Sequence, residues 1–183
     1  MEQPQLQTLR LLLSPLKTSD IQDIQRAASD RDIADTMISL PHPYPEGEAK
    51  RYFDRQLVEK EADRAYVYCI RLKADDSFAG MIEIRAIESE HSQAELSFWL
   101  AREVWGQGFM SEAVEAAVLF GFEELGLNRL YAHHMLRNPA TGRVLEKCGF
   151  TQEGLLRQRV IKWGKYEDVP LCAILKKDWE SRN

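Results

Sequence analysis

The sequence predicts a single α/β domain, in the α+β range: a mixed sheet with helices on both faces. Three observations predict it. Apolar runs of strand length alternate with amphipathic runs of helix length along the chain. Three strand-like runs, Tyr66 to Leu72, Ala79 to Ile87 and Ala94 to Leu100, follow one another across short turns, which favours antiparallel neighbours. Leu96 to Met135 then reads strand, helix, strand, so its two strands should be parallel or splayed neighbours.

In order, Leu9 to Leu13 begins as a short strand ended by Pro15, and Thr18, Ser19 and Asp20 can cap a helix carrying Ile21 and Ile24. A further helical piece holds Ile33 and Met37. Pro41, Pro43 and Pro45 then break the chain. Glu46 to Asp63 predicts an amphipathic helix, with Ala49, Tyr52, Phe53, Gln56 and Leu57 at spacings of three and four. After the three strands, Met110 to Leu125 predicts a helix whose small residues allow close packing on a sheet. Leu130 to Met135 reads as a strand. Pro139 to Cys148 reads as a short helix, with Asn138 as N-cap, Pro139 at its first position and Gly149 at its stop. Phe150 to Val160 and Val169 to Leu175 predict a closing hairpin across Trp163-Gly164-Lys165. No linker, repeat or low-complexity segment divides residues 1–183, so one domain is expected.

The chain is long enough for a substantial core, and 44% hydrophobic with 29% charged residues is an ordinary globular balance. No apolar run approaches the roughly 20 residues of a membrane span, and the first residues lack a signal-peptide pattern. Cys69, Cys148 and Cys172 are widely spaced, with neither metal nor disulfide spacing, so reduced core thiols in the cytoplasm are expected. A net charge of −5 argues against general nucleic-acid binding. The charge is uneven: Arg137 to Lys165 holds seven basic and two acidic residues, +5, leaving −10 for the rest. Such a patch fits a polyphosphate or an acidic partner, or a solvated face of mixed charge.

The most informative stretch is Phe98-Trp99-Leu100 followed by Trp105-Gly106-Gln107-Gly108-Phe109-Met110-Ser111-Glu112-Ala113. A strand enters a loop with two glycines, and a helix follows. Glycines let backbone approach a ligand closely, and a helix start offers unpaired N–H groups and a positive dipole end. Together they form an anion site. A dinucleotide fingerprint would need a third glycine at Ser111, and a Walker loop would need Gly-Lys-Ser/Thr; neither is present.

Read as a whole, the second half carries Glu95 to Leu100, then Trp105 to Ala113, then Asn138-Pro139-Ala140-Thr141, then Val144 to Phe150, then Glu153-Gly154. This ordered set resembles the GNAT-type N-acetyltransferases, and within them the branch containing the RimJ/RimL ribosomal-protein N-terminal acetyltransferases. The opening Thr8 to Leu13 and the closing Gly164 to Val169 are also similar to that branch. The resemblance implies a mostly antiparallel GNAT-type sheet with a splay between two central strands. It implies acetyl-CoA as donor, no metal, and often a dimer. The family's pyrophosphate pattern falls on Trp105 to Met110, where Trp105 and Met110 depart from it. Backbone N–H groups do most of the holding, so neither change need abolish binding.

By resemblance, the pantetheine arm lies along Phe98-Trp99-Leu100 and pairs with main-chain groups as an added strand would. Asn138 matches the family residue whose side chain reaches the pantetheine, a role compatible with a plain N-cap. Arg143 and Lys147, one helical turn apart, are candidates for the 3′-phosphate or for a solvated face.

Attack of an amine on a thioester needs a neutral amine, a stabilised oxyanion and a proton for the leaving thiolate. Thr141 matches the hydroxyl position of the family's Asn-x-x-Ser pattern, or makes a local capping contact. His134 should share a strand face with Ala132 and point at the acceptor cleft; a structural histidine is the alternative. His133 should point the other way. Glu95 and Glu83, on neighbouring strands, are each a base acting through water or a paired surface carboxylate. Val160 stands where the ribosomal-protein relatives carry a glutamate, and it cannot take a proton. Trp163, at the hairpin tip, either packs or covers the acceptor.

The reading is a cytoplasmic acetyl-CoA-dependent N-acetyltransferase acting on a primary amine, of a protein N-terminus or a small molecule. Its alternative is a catalytically silent acyl-CoA-binding sensor. A ribosome contact through Arg157 to Lys165 is compatible with either.

Overall fold

Hydrophobic alternation along each strand sorts side chains to two faces, and a helix layer covers each. The computed structural model describes residues 2–182. In chain order these form β1 (Leu6–Gln7), β2 (Leu11–Pro15), α1 (Ile21–Ala28), α2 (Arg31–Thr36), α3 (Glu48–Glu61), β3 (Tyr66–Leu72), β4 (Phe78–Glu88) and β5 (Gln93–Leu100). Then follow α4 (Phe109–Glu123), β6 (Arg129–His133), α5 (Pro139–Lys147), β7 (Thr151–Lys162), β8 (Lys165–Leu175) and α6 (Lys176–Glu180). The strands make one sheet in the order β1-β2-β3-β4-β5-β6-β8-β7.

One face carries Leu13, Tyr68, Ile82, Ile84, Leu96 and Leu130 onto α4. Ten of the fifteen α4 residues are buried, including the smaller Ala113, Ala117 and Gly121. A Cβ at Gly121 would lie 3.0 Å from Leu130 Cδ1, so the small residues do set the approach of helix to sheet. The opposite face places Val67, Cys69, Met81 and Trp99 against α1 and α2 through Ile24 and Ile33, and against Ala49 of α3.

All neighbouring strands are antiparallel except β5 and β6. That parallel pair is in register only from Gln93–Arg129 to Glu95–Tyr131. Beyond it β5 runs on to Leu100 while β6 ends at His133, so the sheet opens at its centre. The expected splay is therefore real, and it leaves the last residues of β5 without a strand neighbour on that side.

Several local expectations are corrected. Leu9 is not in a strand: it is 88% exposed in a bend that folds β1 back on β2, with Thr8 N–H donating to the Leu11 carbonyl. Thr18 to Asp20 forms a 3₁₀ turn, and Asp20 does not cap α1 with its side chain. Its carboxylate instead accepts from Lys17 N–H and pairs with Arg71. Met37 lies one residue past α2 in extended backbone. Leu57 is 42% exposed, because deep burial in α3 is confined to Ala49 and Phe53 in its first half. Both closing strands are longer than expected and turn tightly at Trp163-Gly164, and the short α6 has no counterpart in the sequence reading.

Candidate active site

The opening between β5 and β6 holds a cleft of about 180 Å³. β5 contributes Phe98, Trp99 and Leu100, the loop and α4 contribute Trp105, Gly106 and Met110, and α5 contributes Asn138, Ala140, Thr141 and Val144. Thr36 and Met37, at the end of α2, close the fourth side.

The glycine loop has the backbone that the sequence asks for. Gly106 (φ +74°) and Gly108 (φ +79°) are both left-handed, a region that suits glycine. Gly108 is the N-cap of α4 and no side chain caps that helix. Its first-turn N–H groups are thus left to solvent or to an anion. The loop is pinned from outside by Arg10, which sequence reasoning missed. Arg10 donates to the Gln107 carbonyl at 3.0 Å, pairs with Glu112 at 2.7 Å and lies 4.4 Å from the Phe109 ring centroid. Trp105 Nε1 donates to the Leu100 carbonyl at 2.9 Å, which fixes the indole against the end of β5.

Asn138 caps α5 as predicted, its Oδ1 accepting from Thr141 N–H at 3.4 Å. Its Nδ2 donates to Thr141 Oγ1 at 2.9 Å and to the Thr36 carbonyl at 3.3 Å, bridging α5 to α2. Since Thr141 Oγ1 accepts there, its own proton remains available to the cleft.

A smaller cavity of about 50 Å³ adjoins the cleft and shares Thr36, Met37, Phe98 and Thr141 with it. Glu95, His134 and Thr141 all line this junction, as do Arg85 and His133. Arg85 and Glu95 face each other in register across β4 and β5, and the guanidinium grips the carboxylate through two contacts of 3.1 Å. His133 Nδ1 is 3.3 Å from Glu95 Oε1. Burial alone would raise the Glu95 pKa, but the hydrogen bonds from His133 and Arg85 outweigh it and hold the carboxyl down to about 2.

Glu83 behaves in the opposite way. It is 8% exposed, and burial pushes its pKa up against the pull of Arg85 and Tyr52. Tyr52 donates its hydroxyl proton to Glu83 Oε1, and burial together with that carboxylate keeps the phenol protonated.

Both histidines border the junction, so the expectation that is corrected is that His133 points away. β6 ends at His133, which shares its face with Tyr131 and reaches Glu95. His134 is past the strand, 8% exposed, with Nδ1 3.0 Å from the Met135 carbonyl, so Nδ1 carries the proton. Its ring lies under α5, where a Cβ on Gly142 would come within 3.2 Å. Arg143 and Lys147 are exposed on α5; Arg143 lines a different cavity, of about 600 Å³, with Phe150 and Cys172. The basic run is also less free than its composition suggests. Arg137 pairs with Asp35 and Glu167, both at 2.8 Å, and Lys162 is buried with Nζ donating to the Leu40 carbonyl at 2.6 Å. Trp163 Nε1 donates to Asp35, so the hairpin tip is fastened over residues 35–40.

Among the described residues no cluster of three or more His, Cys, Asp or Glu side chains could hold a metal ion. No helix among them is long and apolar enough to cross a membrane.

Comparison with known proteins agrees with this geometry. Residues 10–151 match the family model described as an acetyltransferase (GNAT) domain. A probable N-acetyltransferase of Bacillus subtilis, YjcK, is 33% identical over 93% of this chain and 96% of its own length. Spermidine N(1)-acetyltransferase of Vibrio cholerae is 26% identical over 95% and 98%. The ribosomal-protein-serine acetyltransferase of Escherichia coli is 30% identical over 60% of this chain and 62% of its own length. Two solved structures share the fold. One is RimL, a ribosomal L7/L12 α-N-protein acetyltransferase in complex with coenzyme A: TM-score 0.87, 20% identity, covering 94% of this chain and 98% of that one. The other is the Vibrio cholerae spermidine N-acetyltransferase in complex with CoA and spermine: TM-score 0.84, 24% identity, covering 94% and 99%. With its family model matched over most of its length and its sheet split where the glycine loop meets β5, the chain belongs to the GNAT acetyltransferase family and is an N-acetyltransferase.

Proposed function

We propose that this protein moves an acetyl group from acetyl-CoA directly to a primary amine. The observation that carries the reading is the continuity of the β5–α5 cleft with the polar junction at Thr141 and Glu95. The residues present fit the donor: an uncapped helix start beside two left-handed glycines for the pyrophosphate, and an unpaired β5 end for the pantetheine amides. Acetyl-CoA supplies the activated thioester.

Phe98, Trp99 and Leu100 offer main-chain groups to the arm, and Met110 and Val144 give it apolar walls. Asn138 holds Thr141 in place, and Thr141 Oγ1 gives its proton to the sulfur as it leaves and takes in return the proton that the attacking nitrogen sheds. Glu95 is too acidic to be an efficient base at neutral pH; it orients His133 and keeps Arg85 fixed. Glu83 has the higher proton affinity of the two carboxylates and is the better candidate to take the amine proton. His134 supports α5 from below. Arg143 and Lys147 remain candidates for the 3′-phosphate. The three buried, unbridged cysteines support a reducing, cytoplasmic setting.

Calorimetric titration with acetyl-CoA, followed by a thiol-release assay over pools of amines and peptides, tests the reading. Micromolar binding with thiol release on a pool is expected. Absence of binding refutes it, and binding without release on any pool favours the silent sensor.

A further inference from the structure

We infer that the acceptor is a primary monoamine with a compact apolar or aromatic body, its ammonium seated on Glu83, and that polyamines are excluded. The inference rests on the transferase reading above and names the substrate class of that same site.

A further cavity, of about 250 Å³, lies between β4, α3 and the segment after α2. It shares Met37 and Trp99 with the donor cleft, and Met37, Ser39, Arg85 and Ser97 with the junction. A group bound there borders the donor cleft at Met37 and Trp99. Its walls are aromatic and thioether: Tyr44, Tyr52, Trp99, Met37 and Met81, with Leu40. At roughly 30 Å³ per water, the volume is worth about eight waters, which suits a small organic body.

Charge then limits what enters. Glu83 is more than nine-tenths buried and lines the cavity. Its Oε1 accepts from Tyr52, while Oε2 stands 3.8 Å from Arg85 Nη1, beyond hydrogen-bond length. Arg85 spends its Nε and Nη2 on Glu95. Two carboxylates therefore share one guanidinium, and the trio carries a single net negative charge. That is room for one ammonium group. The other carboxylate on the cavity wall, Glu48, is already paired with Arg51 and Arg55 at 2.7 and 2.8 Å. A second or third ammonium on the same molecule would meet Arg55 and Arg85 with no free counter-charge. The inference thus separates this chain from its spermidine-acetylating relatives, despite their similarity in sequence.

Thiol-release kinetics at pH 8 with saturating acetyl-CoA test it, using phenethylamine, a short uncharged peptide beginning with Phe, and spermidine. One of the two monoamines should exceed spermidine in kcat/KM by about tenfold or more. A free-amine preference assigns a small-molecule acceptor, and a peptide preference assigns the first residue of a polypeptide. Glu83→Gln should raise KM for the preferred monoamine about tenfold, with acetyl-CoA affinity by calorimetry within about twofold of the parent. Ser39→Asp, which adds a carboxylate to the cavity, should lower KM for spermidine several-fold. Spermidine turned over as well as either monoamine overturns the inference and leaves the transferase reading intact, as does an unchanged KM in Glu83→Gln. Bound acetyl-CoA with no release on any amine overturns the transferase reading itself, and this inference with it.

Discussion

Gly80→Ala places a methyl group at the contact that holds the donor strand in position. Gly80 of β4 pairs with Leu100 at the end of β5. A Cβ there would lie 2.3 Å from the Trp99 carbonyl oxygen, 2.8 Å from Leu100 Cα and 3.0 Å from Leu100 Cδ2. The first two are backbone atoms and cannot rotate away. Restoring an ordinary carbon–oxygen contact of about 3.3 Å needs a displacement of about 1 Å. Overpacking a tight contact costs about 1–3 kcal/mol, and backbone on both sides puts this one near ~3 kcal/mol. For a chain of this size, roughly 2–4 °C per kcal/mol gives a fall in Tm of about 6–12 °C. The displaced residues belong to the β5 segment proposed to pair with the pantetheine, and a misplacement of about 1 Å at such a site can cost ~100-fold in rate. Thermal melting and acetyl-CoA calorimetry at a temperature where the variant is folded measure the two effects separately. A Tm within about 2 °C of the parent would refute the packing argument. A large fall in Tm with unchanged acetyl-CoA affinity and turnover would refute the claim that this contact positions β5 for its ligand.

The other predictions concern the loop, the proton donor, the buried charges and the hairpin. Arg10→Ala removes the outside brace of the glycine loop and should weaken acetyl-CoA binding about fivefold, the equivalent of ~1 kcal/mol, in calorimetry. Thr141→Val should lower kcat by about 100-fold with little change in acetyl-CoA affinity, while Thr141→Ser keeps most of the rate; equal losses in both would refute the proton-donor role. Glu95 is held at about 2 in the fold against an ordinary 4.5, so its ion pair stabilises fully above about pH 4.5. That contribution, roughly 3 kcal/mol at ~1.36 kcal/mol per unit, is lost as pH falls from about 4.5 toward 2. Glu83 works with the opposite sign, since its raised pKa makes protonation relieve a buried charge. Urea midpoints between pH 7 and 3 should therefore fall less steeply in Glu95→Gln than in the parent. Arg137→Ala frees Asp35 of α2 and Glu167 of β8; Arg137 and Asp35 are both more than a third exposed, so the substitution should change stability by no more than ~1 kcal/mol. It should nonetheless raise amide exchange at Trp163-Gly164 and raise the acceptor KM.

Much of the fold was legible because its signals are local. The strand β3 has the predicted bounds, and the capping of α5 by Asn138 follows from Asn-Pro at a helix start. The glycine loop was equally readable, since two positive-φ residues before a helix leave a mark in composition. What was not legible depends on contacts between distant segments. Arg10 reaches Gln107 and Glu112 across about a hundred positions, and Arg137 reaches Asp35 in the same way. No spacing rule predicts such pairs. The Arg85–Glu95 pair is different: two opposite charges in facing strands joined by a short turn could have been found by setting the register first. The arrival of both His133 and His134 at the junction has a similar cause. Alternation gives the face of a strand residue only while the strand lasts, and β6 stops one residue before His134.

The position of the stop in β6 also explains why the site is where it is. A parallel pair that lost register inside a closed sheet would leave buried N–H and C=O groups unpaired, at a cost of about 1–3 kcal/mol each. Here the loss is placed at the sheet's centre, where α5 turns Asn138 and Thr141 toward the gap and Trp105 takes up the Leu100 carbonyl. Met37 and Trp99 close the other side, bordering both the β5–α5 cleft and the cavity proposed for the acceptor. In the proposed reading the pantetheine arm replaces the missing β6 hydrogen bonds, which makes binding and completion of the sheet one event. Acetyl-CoA should accordingly slow amide exchange along Phe98 to Leu100 more than anywhere on β3. Equal protection of the two strands would mean that the ligand does not pair with β5 at all.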